Sequence, residues 1–505
     1  MDRFSLGDAA FAALAAGRPS AATVHTLRRA QLGKHLLLLR EIARADPDLW
    51  YAAERANPSG FRRRVADPLF GAWAAHRLRS GAEQAGDQPL VPGGRWLVAE
   101  QAGDQPLIPG GRWLVAEHDG LAVRVRLEDT DPARGLLGLT PTGRLTDDAA
   151  GHWHHCLAEA WQILVSRHRP AAEVLAGVLR CLIPVEPDRV ARGISATSAD
   201  AFGAVAMSAP KCGSSLALGL VHEVQHSLLN ATAHLFDLHV TPGTLGYSPW
   251  RDDPRPASGL LHGAYAYLAV TRFWRVEAAV TGDRMAAFEF ARWRDAVADA
   301  ADRLLEPASR TASRTGSTPG QNETTGGLTA AGRRFVGALR EEVGTWLTEP
   351  VDREVARLAT AANADHHVRW RLRNLAVDPG DAEKLALAWR AGQAAPAVAS
   401  RLVTGTGRAL ESSARLDLIH RTVKGDPAPH AGGRATAGDV AFSRGDYGTA
   451  EAAYRERVLL DPQDDAAWSG LALVTGRGDR LELVKAAFAR TGADPIALCD
   501  WFGRR

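Results

Sequence analysis

Between Ser214 and Leu229 the apolar residues Leu216, Leu220, Val221, Val224, Leu228 and Leu229 recur at spacings of one, three and four. Wound as a helix, this stretch is apolar nearly all round, as a core helix should be, and Ser214 or Ser215 can cap its start. Residues 1–80 read as helices, with Leu36 to Leu39 and Ile42 on one face and Arg and Lys on the other. Trp113-Leu-Val-Ala-Glu and Leu121-Ala-Val-Arg-Val-Arg-Leu127 alternate around Asp119-Gly120, which predicts a β-hairpin. Residues 145–178 read as helical. Short strands are expected at Cys181 to Val185, Arg192 to Thr197 and Gly203 to Ser208, leading directly into the apolar helix. Three prolines within 249–256 predict an ordered, non-helical loop, and a new apolar helix opens near His262 and runs to Glu277. Helices resume from about 328 to 421.

Pro307 to Gly327, rich in Ser, Thr, Gly and Arg, reads as a flexible linker or loop, and Lys424 to Gly433 is a second polar break. Glu83 to Ala99 recurs as Glu100 to Ala116 with one change, Val91 to Ile108. Two copies of so short a unit cannot stack into a solenoid, so the repeat reads as a duplication inside a tolerant loop. These breaks divide the chain into a helical region at 1–80, an α+β catalytic domain at 81–306, a linker at 307–327, a helical region at 328–424 and a helical C-terminal region at 434–505.

The chemistry concentrates in His222-Glu-Val-Gln-His226. Positions i and i+4 share one helix face, so His222 and His226 can aim two imidazoles at one metal ion; the plain alternative is a buried, hydrogen-bonded histidine pair. Gly219, one turn earlier on that face, leaves room for a ligand or another backbone. The usual reading of HExxH is zinc hydrolysis, with Glu223 as general base for a metal-bound water. The third ligand must come from elsewhere: Leu229 and Thr232 stand where a metzincin has its glycine and third histidine, and His234 lies about 12 Å along the axis from His226. His262 and Glu277 are the two candidates. They are separated by roughly 22 Å along one helix, so only one can reach the ion. His262 is preferred because it adjoins a loop carrying Arg251 and Arg255; the plain alternative for those arginines is an ion pair with Asp252 or Asp253. His152-Trp-His-His155 does not present its imidazoles to one point on a helix. Cys212, close before the HExxH helix, is expected to be a small buried side chain.

His222-Glu-Val-Gln-His226, followed by Ser248-Pro-Trp-Arg-Asp-Asp-Pro-Arg-Pro256 and His262-Gly-Ala-Tyr265, with the helical stretch Leu27 to Leu39, resembles the HEXXH motif-containing peptide-modification proteins. These are 2-oxoglutarate-dependent peptide β-hydroxylases found beside ribosomal peptide natural-product precursors. The resemblance implies a predominantly helical α+β fold with a zincin-like helix and a small, mostly antiparallel sheet. It implies iron(II) rather than zinc, held by His222, His226 and His262, with three open positions for 2-oxoglutarate and O₂; the facial triad usually contains a carboxylate, so three imidazoles are a variant. It implies an arginine for the far carboxylate of 2-oxoglutarate, Arg255 first and Arg251 second, and a hydroxylated β-carbon in a bound precursor peptide. Glu223 would then orient a ligand or bind an iron-bound water. A zinc peptidase and a peptide-binding scaffold without turnover are the competing expectations. Further on, Gly438 to Tyr454 with Leu459-Leu-Asp-Pro462 resembles one tetratricopeptide unit. It would hold a partner protein or leader peptide, or serve packing alone.

Composition narrows the partners. Among 505 residues, 60 Lys and Arg against 58 Asp and Glu give a net charge of +2, so no electrostatic case exists for nucleic acid or an anionic membrane. No apolar run approaches membrane-span length. The opening Met-Asp-Arg-Phe-Ser-Leu-Gly-Asp lacks the apolar core of a signal peptide. The four cysteines, Cys156, Cys181, Cys212 and Cys499, are scattered without CxxC; the expectation is a reducing cytoplasm.

Overall fold

The computed structural model describes residues 4–44, 54–80, 111–188, 193–240, 245–306, 327–403, 413–426 and 434–503. The first copy of the repeat, the second copy as far as Gly110, the expected linker up to residue 326, and residues 427–433 of the second polar break lie outside them. The described chain is mostly helical with a small sheet. None of its helices is long and apolar enough to cross a membrane.

In chain order come α1 (Asp8–Ala15), α2 (Ala21–Ala43), α3 (Pro58–Val65), α4 (Pro68–Arg79), β1 (Arg112–His118), β2 (Leu121–Leu127), α5 (Asp147–Arg167), α6 (Arg169–Val178), β3 (Cys181–Val185), β4 (Ser195–Ala196), β5 (Ala204–Ser208) and α7 (Gly213–Ala233). Then follow β6 (Leu245–Ser248), β7 (Arg251–Pro256), α8 (Ala257–Thr281), α9 (Arg284–Leu305), α10 (Ala330–Gly344), α11 (Arg353–Asn374), β8 (Leu375–Val377), α12 (Pro379–Arg390), β9 (Ser400–Leu402), α13 (Ala414–Val423), α14 (Ala437–Ser443), α15 (Tyr447–Leu460), α16 (Asp465–Thr475), α17 (Leu481–Thr491) and α18 (Pro495–Gly503). Many starts are written in the sequence. Ser20, Thr146, Asp283, Asp352 and Ser413 each accept a backbone N–H from their own first turn, the usual N-cap device.

The chain forms two compact units. The first comprises Met1–Val240, Ala264–Phe273 and Gly316–Glu342; the second comprises Thr241–Gly263, Trp274–Thr315 and Val343–Arg505. Residues expected as one domain at 81–306 thus contribute to both units, and α8 gives its middle to the first and its ends to the second.

The first unit holds a five-stranded sheet of order β1-β2-β3-β5-β4. The Asp119-Gly120 turn has positive φ at both residues, 44° and 70°, the type I′ geometry that suits strand twist. It sets β1 against β2 from Arg112↔Leu127 to His118↔Leu121. The sheet is mixed rather than mostly antiparallel: β2 with β3 and β3 with β5 are parallel, and only the two edges pair antiparallel. The reason is the α5–α6 crossover between β2 and β3, since parallel neighbours require such a connection. β3 and β5 are buried along their whole length, as strands covered on both faces are. The helix expected over 145–178 breaks at His168, where Pro170 opens α6. In α2 the buried stripe is Val24, Leu27, Gln31, His35 and Leu39, while Leu36 and Leu37 are 48% and 42% exposed. Four consecutive leucines spaced by about 100° cannot share a face, so a histidine takes the core position instead. Burial pushes the His35 pKa down, against the Val65 carbonyl accepting from its Nδ1 at 2.7 Å.

α7 runs beside α5 and also meets α2, α6, β4 and β5. The middle of α8 is tied to the end of α1 by Arg272 Nη1 donating to Gly17 O at 3.0 Å. Gly17 has φ 67°, a backbone turn that glycine tolerates at a helix end.

In the second unit, β6 and β7 form an antiparallel ribbon with a bulge between Gly246 and Ser248. The stretch expected as a loop is therefore a hairpin. Pro254 and Pro256 are tolerated because a two-stranded ribbon has an outward edge for each missing N–H. α8 starts at Ala257, so His262 lies in its second turn and not at its opening. Gly263 sits under Trp250: a β-carbon there would come within 1.8 Å of the indole Nε1. The expected helices at 328–421 are interrupted by the ribbon β8–β9.

At the core of this unit, Arg415 is 3% exposed and fully partnered. It pairs with Asp365, donates to Asp439 Oδ1 and Tyr454 Oη at 3.1 and 3.2 Å, to Ser469 Oγ at 3.0 Å and to Ala466 O at 2.9 Å. A buried charge is tolerable only with such complete partnering.

Candidate metal centre

α7 owes its position to its start. Its N-cap is Cys212, not Ser214 or Ser215; Ser215 serves instead from the third helical position, accepting from Cys212 N at 3.2 Å. Gly213 N donates to Glu159 Oε2 at 3.0 Å. Cys212 itself is exposed, contrary to expectation. The space expected at Gly219 is filled by the sheet: a β-carbon there would lie 3.0 Å from Met207 Cε.

Two turns on, His222 and His226 bring Nε2 to Nε2 at 3.1 Å, with ring planes at 81°. The His222 ring also meets Tyr267 of α8 at 5.5 Å, face to edge at 90°, a packing that fixes its rotation. Its side chain is 25% exposed, so one edge stays open while protein encloses the rest. That enclosure pushes its pKa down to about 4 by desolvation, which keeps the imidazole neutral at physiological pH.

Glu223 is 2% exposed. Ser195 Oγ of β4 donates to its Oε1 at 2.6 Å, and that oxygen lies 3.9 Å from His222 Nε2. Burial raises the carboxyl pKa to about 7, with the Ser195 and Thr197 hydroxyls pulling the other way. Ser195 and Thr197 escaped the sequence reading. The signal was present, two hydroxyls at i and i+2 on one strand face, but nothing local linked them to a residue 28 positions on.

At 3.1 Å one ring can donate a hydrogen bond to the other, and the same spacing suits a shared metal ion. Nitrogens about 2.1 Å from one ion, separated by about 90–110°, stand about 3.0–3.4 Å apart, and the observed spacing lies within that range. Among the described residues, no three His, Cys, Asp or Glu side chains are gathered as a ready-made ligand set. Of the two expected third ligands, His262 is half-buried in the second turn of α8, and Glu277 is largely buried near its end.

Arg251 and Arg255 take the alternative weighed above. Arg251 grips Asp253 through Nε and Nη2 at 2.7 and 3.1 Å, and Arg255 Nη1 reaches the same carboxylate at 3.2 Å. The paired guanidinium groups, Arg251 first, hold Asp253 below the usual carboxylate range against the opposing effect of burial. Two cations share one anion here, and with Asp252 the stretch from Arg251 to Arg255 is neutral.

His152, His154 and His155 go to three separate partners: the Pro210 carbonyl, the Val115 carbonyl and the Glu159 carboxylate. His234, just past the end of α7, faces Lys34 Nζ at 3.0 Å.

No protein-family model matches the chain, and no curated protein matches it.

Proposed function

We propose that the chain is an iron(II)- and 2-oxoglutarate-dependent oxygenase that hydroxylates a β-carbon of a ribosomally made precursor peptide. The observation that carries this reading is the convergence of His222 Nε2 and His226 Nε2 at 3.1 Å on an otherwise buried helix. The resemblance to the HEXXH peptide-modification proteins adds the choice of metal and co-substrate. In this reading α7 is a zincin-like helix, and α14 with α15 is a tetratricopeptide-like pair for a partner protein or leader peptide.

His222 and His226 hold the metal, and His262 completes the set. His262 is preferred to Glu277 because it adjoins the stretch carrying Arg251 and Arg255. Bound iron(II) supplies the activation of O₂, with 2-oxoglutarate as reductant. Arg255, or Arg251, offers a guanidinium N–H pair to the far carboxylate of the co-substrate. Glu223, pinned by Ser195, orients a metal-bound water or ligand.

The peptide has a natural track. Among the described residues β4 pairs only with β5, and Ser208 N donates to Ile194 O at 2.9 Å. By antiparallel alternation, the N–H and C=O of Ser195 point away from β5. An extended peptide added there would pass the Glu223 side of α7 using backbone bonds alone.

A zinc peptidase is the second reading, supported by the buried Glu223 carboxylate standing 3.9 Å from His222 Nε2. Anaerobic purification, addition of iron(II), 2-oxoglutarate and the precursor peptide encoded beside the gene, and weighing of the product separate the two. One added oxygen mass supports hydroxylation. Two fragments with one added water, formed with zinc and no 2-oxoglutarate, overturn it in favour of proteolysis. Intact binding without product under either metal leaves a scaffold.

A further inference from the structure

At the N-terminal end of α7 a second chemistry is assembled. The segment Pro210–Gly213 runs along α5 between two fixed points. At one, His152 Nε2 donates to Pro210 O at 2.7 Å. At the other, Gly213 is pressed so closely on α5 that a β-carbon would come 2.3 Å from Glu159 Cβ and 2.9 Å from Ala160 N. Cys156 on the helix and Cys212 on the segment lie between these points.

The two thiols differ in a useful way. Cys212 is exposed, with Sγ 3.2 Å from Ser214 Oγ. That hydroxyl and the Ser215 backbone N–H hold its pKa below the usual thiol value. Cys156 is buried, with Sγ 3.6 Å from His152 Nε2. Burial, then the charges of Glu159 and Cys212, push its pKa up. An accessible thiol of lowered pKa, on a segment held against the helix that carries a shielded second thiol, is the arrangement of a reactive and a resolving cysteine.

We propose that Cys212 is a hydroperoxide-reactive thiol and Cys156 its resolving partner, so that oxidation ends in a Cys156–Cys212 disulfide. The Cys212 thiolate attacks one oxygen of hydrogen peroxide. The O–O bond breaks, an S–OH forms, and the departing hydroxide is protonated to water. The Cys156 sulfur then attacks Cys212 Sγ; the S–O bond breaks, the S–S bond forms, and the hydroxide leaves with the Cys156 thiol proton as a second water. Two thiols are oxidised by two electrons and one peroxide is reduced. The bond would clamp the start of α7 to α5.

The test uses the full-length chain, treated with a small excess of hydrogen peroxide, blocked with iodoacetamide, and digested without reductant. Expected is one linked peptide pair containing Cys156 and Cys212, lighter by the two thiol hydrogens, with buried Cys181 and Cys499 remaining alkylatable after unfolding. Cys156→Ser should leave a sulfenic acid on Cys212 that dimedone traps, and Cys212→Ser should leave Cys156 reduced at the same dose. If Cys156→Ser does not fold, Cys156→Ala takes its place. A wild-type chain in which Cys212 carries dimedone while Cys156 stays alkylatable overturns the pairing. A Cys212 left unmodified overturns its reactivity.

Discussion

Ser195 Oγ donates to Glu223 Oε1 at 2.6 Å, joining an edge strand to the centre of the HExxH helix. This bond is one of few compensations for a carboxyl group that is 2% exposed. Ser195→Ala should cost about 1–3 kcal/mol, the range for a buried polar group losing a partner, in chelator-treated protein. The loss should be greatest where the carboxylate is ionised. Urea midpoints of the two proteins at pH 8 and pH 5 check this.

Glu223 also gives the metal-free protein a pH dependence. Its folded pKa of about 7 lies above the ordinary 4.5, so the folded state binds this proton more tightly. The associated stability is fully present below pH 4.5 and is lost as pH rises through 7. Glu223→Gln should flatten that decline in denaturation curves between pH 4.5 and 8 while lowering any peptidase activity to background. Oxygenase activity, measured as product mass, should survive in part.

The His222–His226 pair should bind a divalent ion even without substrate. His222→Ala and His226→Ala should each weaken iron(II) binding by more than the roughly 10–100-fold typical of an outer partner, with the double variant little worse than either. Anaerobic equilibrium dialysis reads this directly. Arg255→Ala should leave metal binding intact and raise the 2-oxoglutarate concentration needed for half-maximal turnover.

The β6–β7 hairpin should be acid-sensitive. Tyr247 Oη lies 3.0 Å from His366 Nδ1, and its ring meets His367 at 4.6 Å. Burial first, then neighbouring arginines, lowers both histidines to about 4 from the ordinary 6.5. The unfolded chain therefore binds these protons first, and stability is lost as pH falls from 6.5 toward 4. A His366→Gln/His367→Gln variant should show a shallower loss across that window in equilibrium unfolding.

Asp365→Asn should destabilise the second unit, by less than the about 3–5 kcal/mol of a fully stranded charge, because Asp439 still pairs with Arg415. Arg415→Met should cost more, because it leaves Asp365 and Asp439 buried without their cation, and replacing all three with apolar residues of similar volume should cost less than Arg415→Met. Chemical denaturation of the three variants gives the comparison.

What could be read in advance was what depends on neighbours in sequence. The 3.6-residue period put His222 and His226 on one face, and Asp119-Gly120 announced its turn because few other residues accept positive φ twice in a row. Sheet order was not legible: β4 reaches Glu223 by pairing with β5, a choice made by packing far from either residue. The hairpin at 245–256 was hidden by its prolines. Had it been taken as a strand, Arg251, Asp253 and Arg255 would have fallen on one face at a spacing of two, and their mutual ion pairs would have followed. The leucine run in α2 misled in the opposite sense, since its composition masked the histidine that occupies the core.

Arg415 draws its partners from α11, α14, α15 and α16, spread from Asp365 to Ser469. A polypeptide whose synthesis halts before Ala466 has already committed this guanidinium to an interior that cannot yet satisfy it. The C-terminal helices are therefore no removable appendage. Stop codons or proteolytic nicks upstream of Ala466 should yield products that cellular quality control clears, and shortened versions for crystallisation or partner mapping should end beyond Ser469.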